Sequence, residues 1–388
     1  MVSSRFRNIT PSSTVSLNNL FNQMKKAGED VISFAAGEPD PTTPMDVLEY
    51  AFERAKNGGT HYTPSSGIPE LRKEISLKYS KMTNTDIKQE NVIITPAKFA
   101  LNLAIGSVTE EGDEILIQDP SFVSYHEMIK IAGGIPRYFP SLDDGSPNIE
   151  KLQENVTSKT RMIIINSPSN PNGWVATDKQ LRAIADIATD HDLYILSDEI
   201  YEKIIFEGEH ISILKYPGMS ERTFVVNGFS KSHAMTGWRI GYLISPSSLS
   251  GYIDSYQQHT ITCASSVSQY AALRALKNED FPKHMNLMFK ERRDILYDKL
   301  SRIEQLKLTK PKGTFYMFPR ILNGLTGEEL SDRLLKEKKI LVTPGSQFGP
   351  SGKNSIRLSF ALSKEDLLRG AERIIEFFES EKVISSSF

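Results

Sequence analysis

Residues 161–200, RMIIINSPSNPNGWVATDKQLRAIADIATDHDLYILSDEI, read as strand, helix and strand. Met162–Ile165 and Leu193–Leu196 are short apolar runs without polar alternation, the pattern of strands buried on both faces, as in a parallel sheet. Between them, Asp178–Thr189 sets Leu181, Ile184, Ala185 and Ala188 at helical spacing behind Thr177, a candidate N-cap. A strand, a crossover helix and a second strand are the repeating unit of a parallel α/β sheet.

The same grammar extends outward. Val92–Ile94, Ile115–Ile117, Phe224–Val226 and Ile240–Ile244 are further apolar runs between amphipathic stretches. The expected fold class is α/β: a mostly parallel, doubly wound sheet with helices on both faces. Past residue 267 the pattern changes. Val267–Leu276 and Met285–Ile303 read as helices, Phe315–Phe318 as a strand, Glu328–Glu337 as a helix, Ser355–Phe360 as an alternating strand and Lys364–Ser380 as an amphipathic helix. This tail predicts a second, smaller α+β domain. The expected division is an arm over 1–11, part of the small domain over 12–45, the large domain over 46–285 and the small C-terminal domain over 286–388.

Composition bounds the function. The chain has 388 residues, 39% hydrophobic and 24% charged, a globular mix that excludes collagen-like and disordered classes. Lys and Arg total 46 against 48 Asp and Glu, which argues against a nucleic-acid-binding surface. A lone Cys263 forms no intrachain disulfide and no thiolate cluster, and the 7 His show no helical ligand pairs, so no metal site is expected. Met1–Thr10 is polar and basic without an apolar core, and no apolar run approaches the roughly 20 residues of a membrane span. A cytoplasmic protein is expected.

Polar residues end the buried strands: Thr95, Asp119, Asn166, Asp198 and Asn227. Each alone fits a cap or turn; together they mark the strand ends where α/β sheets bind ligands. The richest segment is 227–241, NGFSKSHAMTGWRIG. Lys231 follows a strand among small residues, with Arg239 eight positions on. A lysine desolvated beside a cation becomes a nucleophilic amine able to form a Schiff base with a carbonyl. Arg239 suits a phosphate. A solvated loop lysine is the alternative reading of the same residues.

This segment resembles the pyridoxal-phosphate attachment signature of class I, fold type I aminotransferases, at Gly228, Ser230, Lys231, Ala234, Met235, Gly237, Arg239 and Gly241. The resemblance continues in order along the chain. Residues 36–40, AGEPD, are similar to the family's substrate loop, which implies that Gly37 lies near the substrate carboxylate. HYTP at 61–64 and GIPELR at 67–72 resemble the segment whose tyrosine, here Tyr62, reaches the cofactor phosphate of a neighbouring subunit. Phe122 falls where the family places an aromatic over the cofactor ring. NSPSNPNG at 166–173 resembles the asparagine motif, with Asn170 at the ring hydroxyl. SDEIY at 197–201 resembles the aspartate–tyrosine motif. Arg357, in SIRLSF at 355–360, falls on the arginine that grips the substrate α-carboxylate.

The implied cofactor is pyridoxal 5'-phosphate, held as an imine by Lys231 and bound by Tyr62, Ala97, Lys98, Phe122, Asn170, Asp198, Tyr201, Ser230 and Arg239. The implied assembly is a homodimer with shared sites. Elementary chemistry runs beside this. A buried carboxylate, Asp198, pairs with a protonated ring nitrogen, and Tyr201, three residues on, reaches the ring oxygen. Arg357 shares a strand face with Ser355 and Ser359, away from Ile356, Leu358 and Phe360, so periodicity leaves it either ligand-facing or solvated.

Two positions depart from the resemblance. In TPAKFA, 95–100, Pro96 removes one backbone donor, leaving the N–H groups of Ala97 and Lys98 for an anion at the helix start. Phe122 replaces a tryptophan or tyrosine and stacks without a polar handle. The expected reaction is ping-pong transfer of an amino group from an L-amino acid to a 2-oxo acid. Lys98, Ser12 and Thr14 fall on positions that resemble those of prokaryotic aspartate aminotransferases, which implies aspartate with 2-oxoglutarate. The alternatives are an aromatic or broad-range aminotransferase, or a β-eliminating C–S lyase on the same scaffold. No G-x-G-x-x-G follows the first strand, so a nicotinamide dehydrogenase is not indicated. A transcription-factor effector module would carry a basic helix-turn-helix extension, and none is read here.

Overall fold

The computed structural model describes residues 2, 7, 9–11 and 13–385, the side chains of 13, 14 and 382–385 excepted. The apolar runs of the sequence become the strands of a seven-stranded sheet: β1 (Val92–Thr95), β2 (Glu114–Asp119), β3 (Ile135–Pro140), β4 (Thr160–Asn166), β5 (Tyr194–Asp198), β6 (Thr223–Gly228) and β7 (Gly241–Ile244). Their spatial order is β1-β7-β6-β5-β4-β2-β3. Pairs among β2 to β6 are parallel, whereas β7 runs antiparallel to β1 and β6.

The antiparallel β7 corrects the reading of Ile240–Ile244 as one more parallel strand. A parallel return needs a crossover, usually a helix, and residues 229–240 contain none. The chain instead folds back with Gly228 opposite Gly241. A Cβ on Gly241 would lie 2.6 Å from the Asn227 carbonyl oxygen and 3.0 Å from the Ala97 nitrogen. Glycine there lets β6, β7 and the helix Ala97–Gly106 approach closely.

Alternate strand residues face opposite sides, as the pleat requires. Ile163, Ile165 and Ile195 pack on Leu181, Ile184, Ala185 and Ala188 of the helix Asp178–Asp190. Met162, Ile164 and Leu196 pack on Ala100, Leu101 and Ala104 from the opposite face. Each such buried aliphatic side chain contributes about 1.5–3 kcal/mol. Thr177 closes a capping box with Gln180, as its position before the helix predicts. Losing that cap costs about 1 kcal/mol.

A second body packs on this one. β8 (Tyr316–Met317), β9 (Thr343–Pro344) and β10 (Ile356–Ser359) form an antiparallel sheet in the order β8-β10-β9. Helices Asp280–Leu300, Gly327–Lys338 and Lys364–Ser385 supply its core through Phe289, Leu296, Leu330, Leu334, Ile374 and Phe377. Phe34 joins that core, and Ile32–Ser33 pair in parallel with Ile340–Leu341, so an early segment builds onto late ones.

β10 departs from its alternating pattern. All four of its residues are buried, and Arg357 is only 2% exposed. Neighbours on both edges and packing on both faces remove the solvated alternative for this arginine. Among the described residues, no helix is long and apolar enough to cross a membrane.

Candidate active site

A cavity of about 360 Å³ opens where the carboxyl ends of β4, β5 and β6 meet β10. Lys231, Asp198, Tyr201, Ala97, Lys98, Phe122, Asn170, Ser230, Arg239, Gly37 and Arg357 all line it. Of the polar strand ends, Asn166 and Asp198 reach it. Asp119 instead accepts bonds from the N–H and hydroxyl of Ser351, at 3.0 and 2.8 Å, which ties the two bodies together. Asn227 donates to the Tyr79 hydroxyl (3.0 Å), and Thr95 has a buried, unpartnered hydroxyl. Tyr62 is 88% exposed and does not line the cavity. Ser12 and the side chain of Thr14 lie outside the described residues.

Lys231 sits in the loop between β6 and β7. Ala234 and Arg239 in that loop hold left-handed backbone, φ 52° and 51°, a strain that clusters at functional sites. Lys231 Nζ donates to the Gly37 carbonyl at 2.6 Å. Desolvation lowers its pKa to about 8 despite the nearby Glu38, and Arg357 and Arg239 push the same way. Asp198 accepts from the Tyr125 hydroxyl (2.6 Å) and the Ile200 N–H (3.2 Å). Burial still raises its carboxyl to about 6, against those two bonds.

Arg357 donates from Nη1 to Asn170 Oδ1 (3.1 Å) and from Nη2 to the Ala35 carbonyl (3.0 Å), while its Nε has no partner. No described carboxylate forms an ion pair with this buried guanidinium. An uncompensated buried cation is costly, so the site is built for an anion. Lys98, which lines the same cavity, is exposed, and partial desolvation and the charge of Arg239 lower its pKa. The N–H groups of Phe99 and Ala100 bond the Pro96 carbonyl, with those of Ala97 and Lys98 ahead of that turn at the helix start.

Residues 29–374 match the family model of aminotransferase class I and II. The chain belongs to this aminotransferase family. The probable aspartate aminotransferase of Methanocaldococcus jannaschii is 40% identical to it, over 98% of this chain and 100% of that relative. The aromatic-amino-acid aminotransferase 2 of Thermococcus litoralis is 38% identical, over 99% and 100%. Among solved structures, the aspartate aminotransferase of Thermus thermophilus with maleate superposes at a TM-score of 0.92, with 34% identity over 96% of this chain and 98% of that one.

The aminotransferase site contains residues that the sequence reading missed. Tyr125, three residues after Phe122, carries no role in the sequence reading, and its contact with Asp198 spans 73 positions. Tyr316 lines the cavity and lies 3.2 Å, hydroxyl to hydroxyl, from Tyr201. Outside the cavity lining, Glu199 accepts from Tyr79 (3.0 Å), Ser197 (3.0 Å) and Ser212 (2.7 Å) and contacts His210 Nε2 at 3.1 Å. Glu199, Glu202 and His210 have ligand atoms within 4.8 Å of one another. The Lys78 ammonium pairs with Glu202 and supplies that cluster with its own cation.

The family works with pyridoxal phosphate, and the residues present fit that group. A buried carboxylate held near pKa 6 gains from a ring cation, a lysine near pKa 8 gives a neutral amine, and Phe122 offers an apolar face. The helix start at Ala97 and the Arg239 guanidinium suit a phosphate.

Proposed function

We propose that this aminotransferase moves the amino group of L-aspartate to 2-oxoglutarate with pyridoxal 5'-phosphate on Lys231. The buried, carboxylate-free guanidinium of Arg357, in one cavity with the Lys231 amine, carries the reading. Lys98 and Arg239, which line the same cavity and are near enough for the charge of Arg239 to act on Lys98, support a second anionic group on the substrate or cofactor.

Pyridoxal phosphate, when bound, supplies an electron sink for the bond broken at the substrate Cα. Lys231 would hold its aldehyde, Asp198 its ring nitrogen, Tyr201 and Asn170 its ring oxygen. Ala97, Ser230 and Arg239 would hold its phosphate, and Phe122 would cover the ring. Arg357 would orient the substrate by its α-carboxylate, bidentately, with Gly37 beside it. The Lys231 amine, neutral once the pH exceeds its lowered pKa of about 8, would take a proton from Cα and return it to the acceptor carbon. Lys98 would meet the distal carboxylate.

The same reading takes the active form as a homodimer, with Tyr62 reaching the neighbouring site. Gln257 donates to the Ser65 carbonyl (2.6 Å), which sets the Tyr62 segment beside the helix Ser247–Thr260. That helix exposes Tyr252 and Tyr256, and exposed aromatics in one place favour a protein partner. The apolar clusters on the seven-stranded sheet and the separate cluster around β8–β10 support a division into a large domain over 46–285 and a small domain built from 12–45 and 286–388.

The reading is tested by adding L-aspartate, without any 2-oxo acid, to cofactor-loaded protein. The visible absorption should disappear and return on addition of 2-oxoglutarate. Absorption that ignores aspartate and responds to L-phenylalanine would replace the dicarboxylate preference with an aromatic one. The apolar lining by Val15, Leu101 and Ile200 favours that second reading.

A further inference from the structure

Tyr316 touches two residues that the proposed function assigns to different parts of the ligand. Its hydroxyl lies 3.2 Å from that of Tyr201, and the Arg357 guanidinium stands over its ring, 4.2 Å from the centroid. The strand register creates this position. Tyr316 of β8 is opposite Ser359 of β10, and Arg357, two residues along, is on the same face as Ser359. A diagonal neighbour of this kind is within reach of an aromatic side chain. Phe315, at 4.7 Å between centroids, and the edge-on Tyr201 ring, at 6.0 Å, confine the Tyr316 ring.

We propose that Tyr316 is a positioning residue with two separable tasks: its ring holds the Arg357 guanidinium flat for a planar carboxylate, and its hydroxyl orients the Tyr201 proton toward the cofactor ring oxygen. This rests on the reading of Arg357 and Tyr201 given above. The first task follows from shape. A guanidinium held by two hydrogen bonds, to Asn170 and Ala35, still pivots unless it is packed, and two rings pack it: Tyr316, the closer at 4.2 Å, and Phe348 at 4.9 Å. The second follows from the 3.2 Å contact between the two hydroxyls, in which either can donate: when Tyr201 gives its proton to an acceptor in the cavity, its oxygen is left to accept from Tyr316. With Tyr316 donating to its oxygen, Tyr201 keeps its own proton for an acceptor in the cavity.

The test compares full-length wild type, Tyr316→Phe and Tyr316→Leu, each loaded with pyridoxal phosphate. Two quantities are read: the dissociation constant of 2-oxoglutarate and the pH midpoint of the visible absorption. In Tyr316→Phe the ring stays, so the dissociation constant should remain within about twofold of wild type. Its pH midpoint should rise, because a Tyr201 without its donor is a weaker acid partner and leaves the ring oxygen more basic. In Tyr316→Leu the midpoint should rise equally, and 2-oxoglutarate should bind about tenfold more weakly. A merely structural role would move both quantities together in both variants. An unchanged midpoint in Tyr316→Phe overturns the proposal, as does equal loss of affinity in the two variants or wild-type affinity in Tyr316→Leu. Wild-type protein that takes up no pyridoxal phosphate overturns the proposed function itself, and this inference falls with it.

Discussion

The hydroxyl of Tyr125 donates to Oδ2 of Asp198 across 2.6 Å, with both side chains buried. The helix Ser124–Ile131 thus reaches over the sheet to the end of β5 and fixes the carboxylate that faces the cavity. A hydrogen bond to a charged acceptor is worth about 1.5–3 kcal/mol. It offsets part of the burial that lifts Asp198 to about 6.

Tyr125→Phe removes that donor and leaves the ring in place. The Asp198 carboxyl should then hold its proton to higher pH. Since only the ionised carboxylate pairs with a ring cation, cofactor affinity should fall about tenfold at neutral pH. The pH below which cofactor is lost should move upward. Equilibrium binding of pyridoxal phosphate between pH 5 and about 8 checks both. Unchanged binding across that range would separate Asp198 from the cofactor.

Lys98→Ala addresses the substrate. Removing a cation that meets a distal carboxylate should lower kcat/KM for L-aspartate by about tenfold or more. For L-phenylalanine it should change little. Steady-state kinetics with both donors and a common 2-oxo acid decide the matter. Equal losses would assign Lys98 to the shared cofactor phosphate.

The lysine itself makes a pH prediction. Its amine attacks a carbonyl only when neutral, and desolvation brings its pKa down to about 8. The rate at which cofactor-free protein captures pyridoxal phosphate should therefore rise with pH and level off above about 8. Stopped-flow absorption across pH 6 to about 11 reads this directly. A rise that continues to the range of an ordinary lysine, about 10.4, would mean that Lys231 is not desolvated before the cofactor arrives.

Tyr62→Phe tests the shared site. Tyr62 is 88% exposed in the single chain, and a hydroxyl that reaches a neighbour's phosphate adds a charge-assisted bond only in the dimer. Sedimentation should give a dimer for both proteins, with about tenfold weaker cofactor retention in the variant. A wild-type monomer that retains cofactor equally well would remove Tyr62 from the site.

The legible part of this molecule was the part written in local order. Thr177, with Leu181, Ile184 and Ala188, marks its helix because a cap and a 3.6-residue stripe are properties of neighbouring residues. Lys231 and Asp198 stand out at strand ends, where this class of sheet binds ligands, and in segments that match a known signature; Asn170 stands out through its signature alone. What sequence hid was set by distant contacts. Alternation in SIRLSF could not tell a half-exposed strand from β10, which has β8 and β9 on its edges and packing on both faces. The apolar run Ile240–Ile244 looks alike in a parallel or an antiparallel neighbour, and only the missing crossover between Gly228 and Gly241 separates the two. Tyr125 and Tyr316 read as ordinary core aromatics until folding brought one to Asp198 and the other to Arg357. Asp119 looked like a ligand residue and is instead spent on Ser351.

The central claim is that Lys231 carries the cofactor. Borohydride reduction of the pyridoxal-phosphate-loaded protein, followed by proteolysis and mass spectrometry, tests it most directly. The expected result is a pyridoxyl phosphate mass on Lys231 alone, absent when L-aspartate is added before reduction. Label on a different lysine, or no label after saturating cofactor, would contradict the assignment.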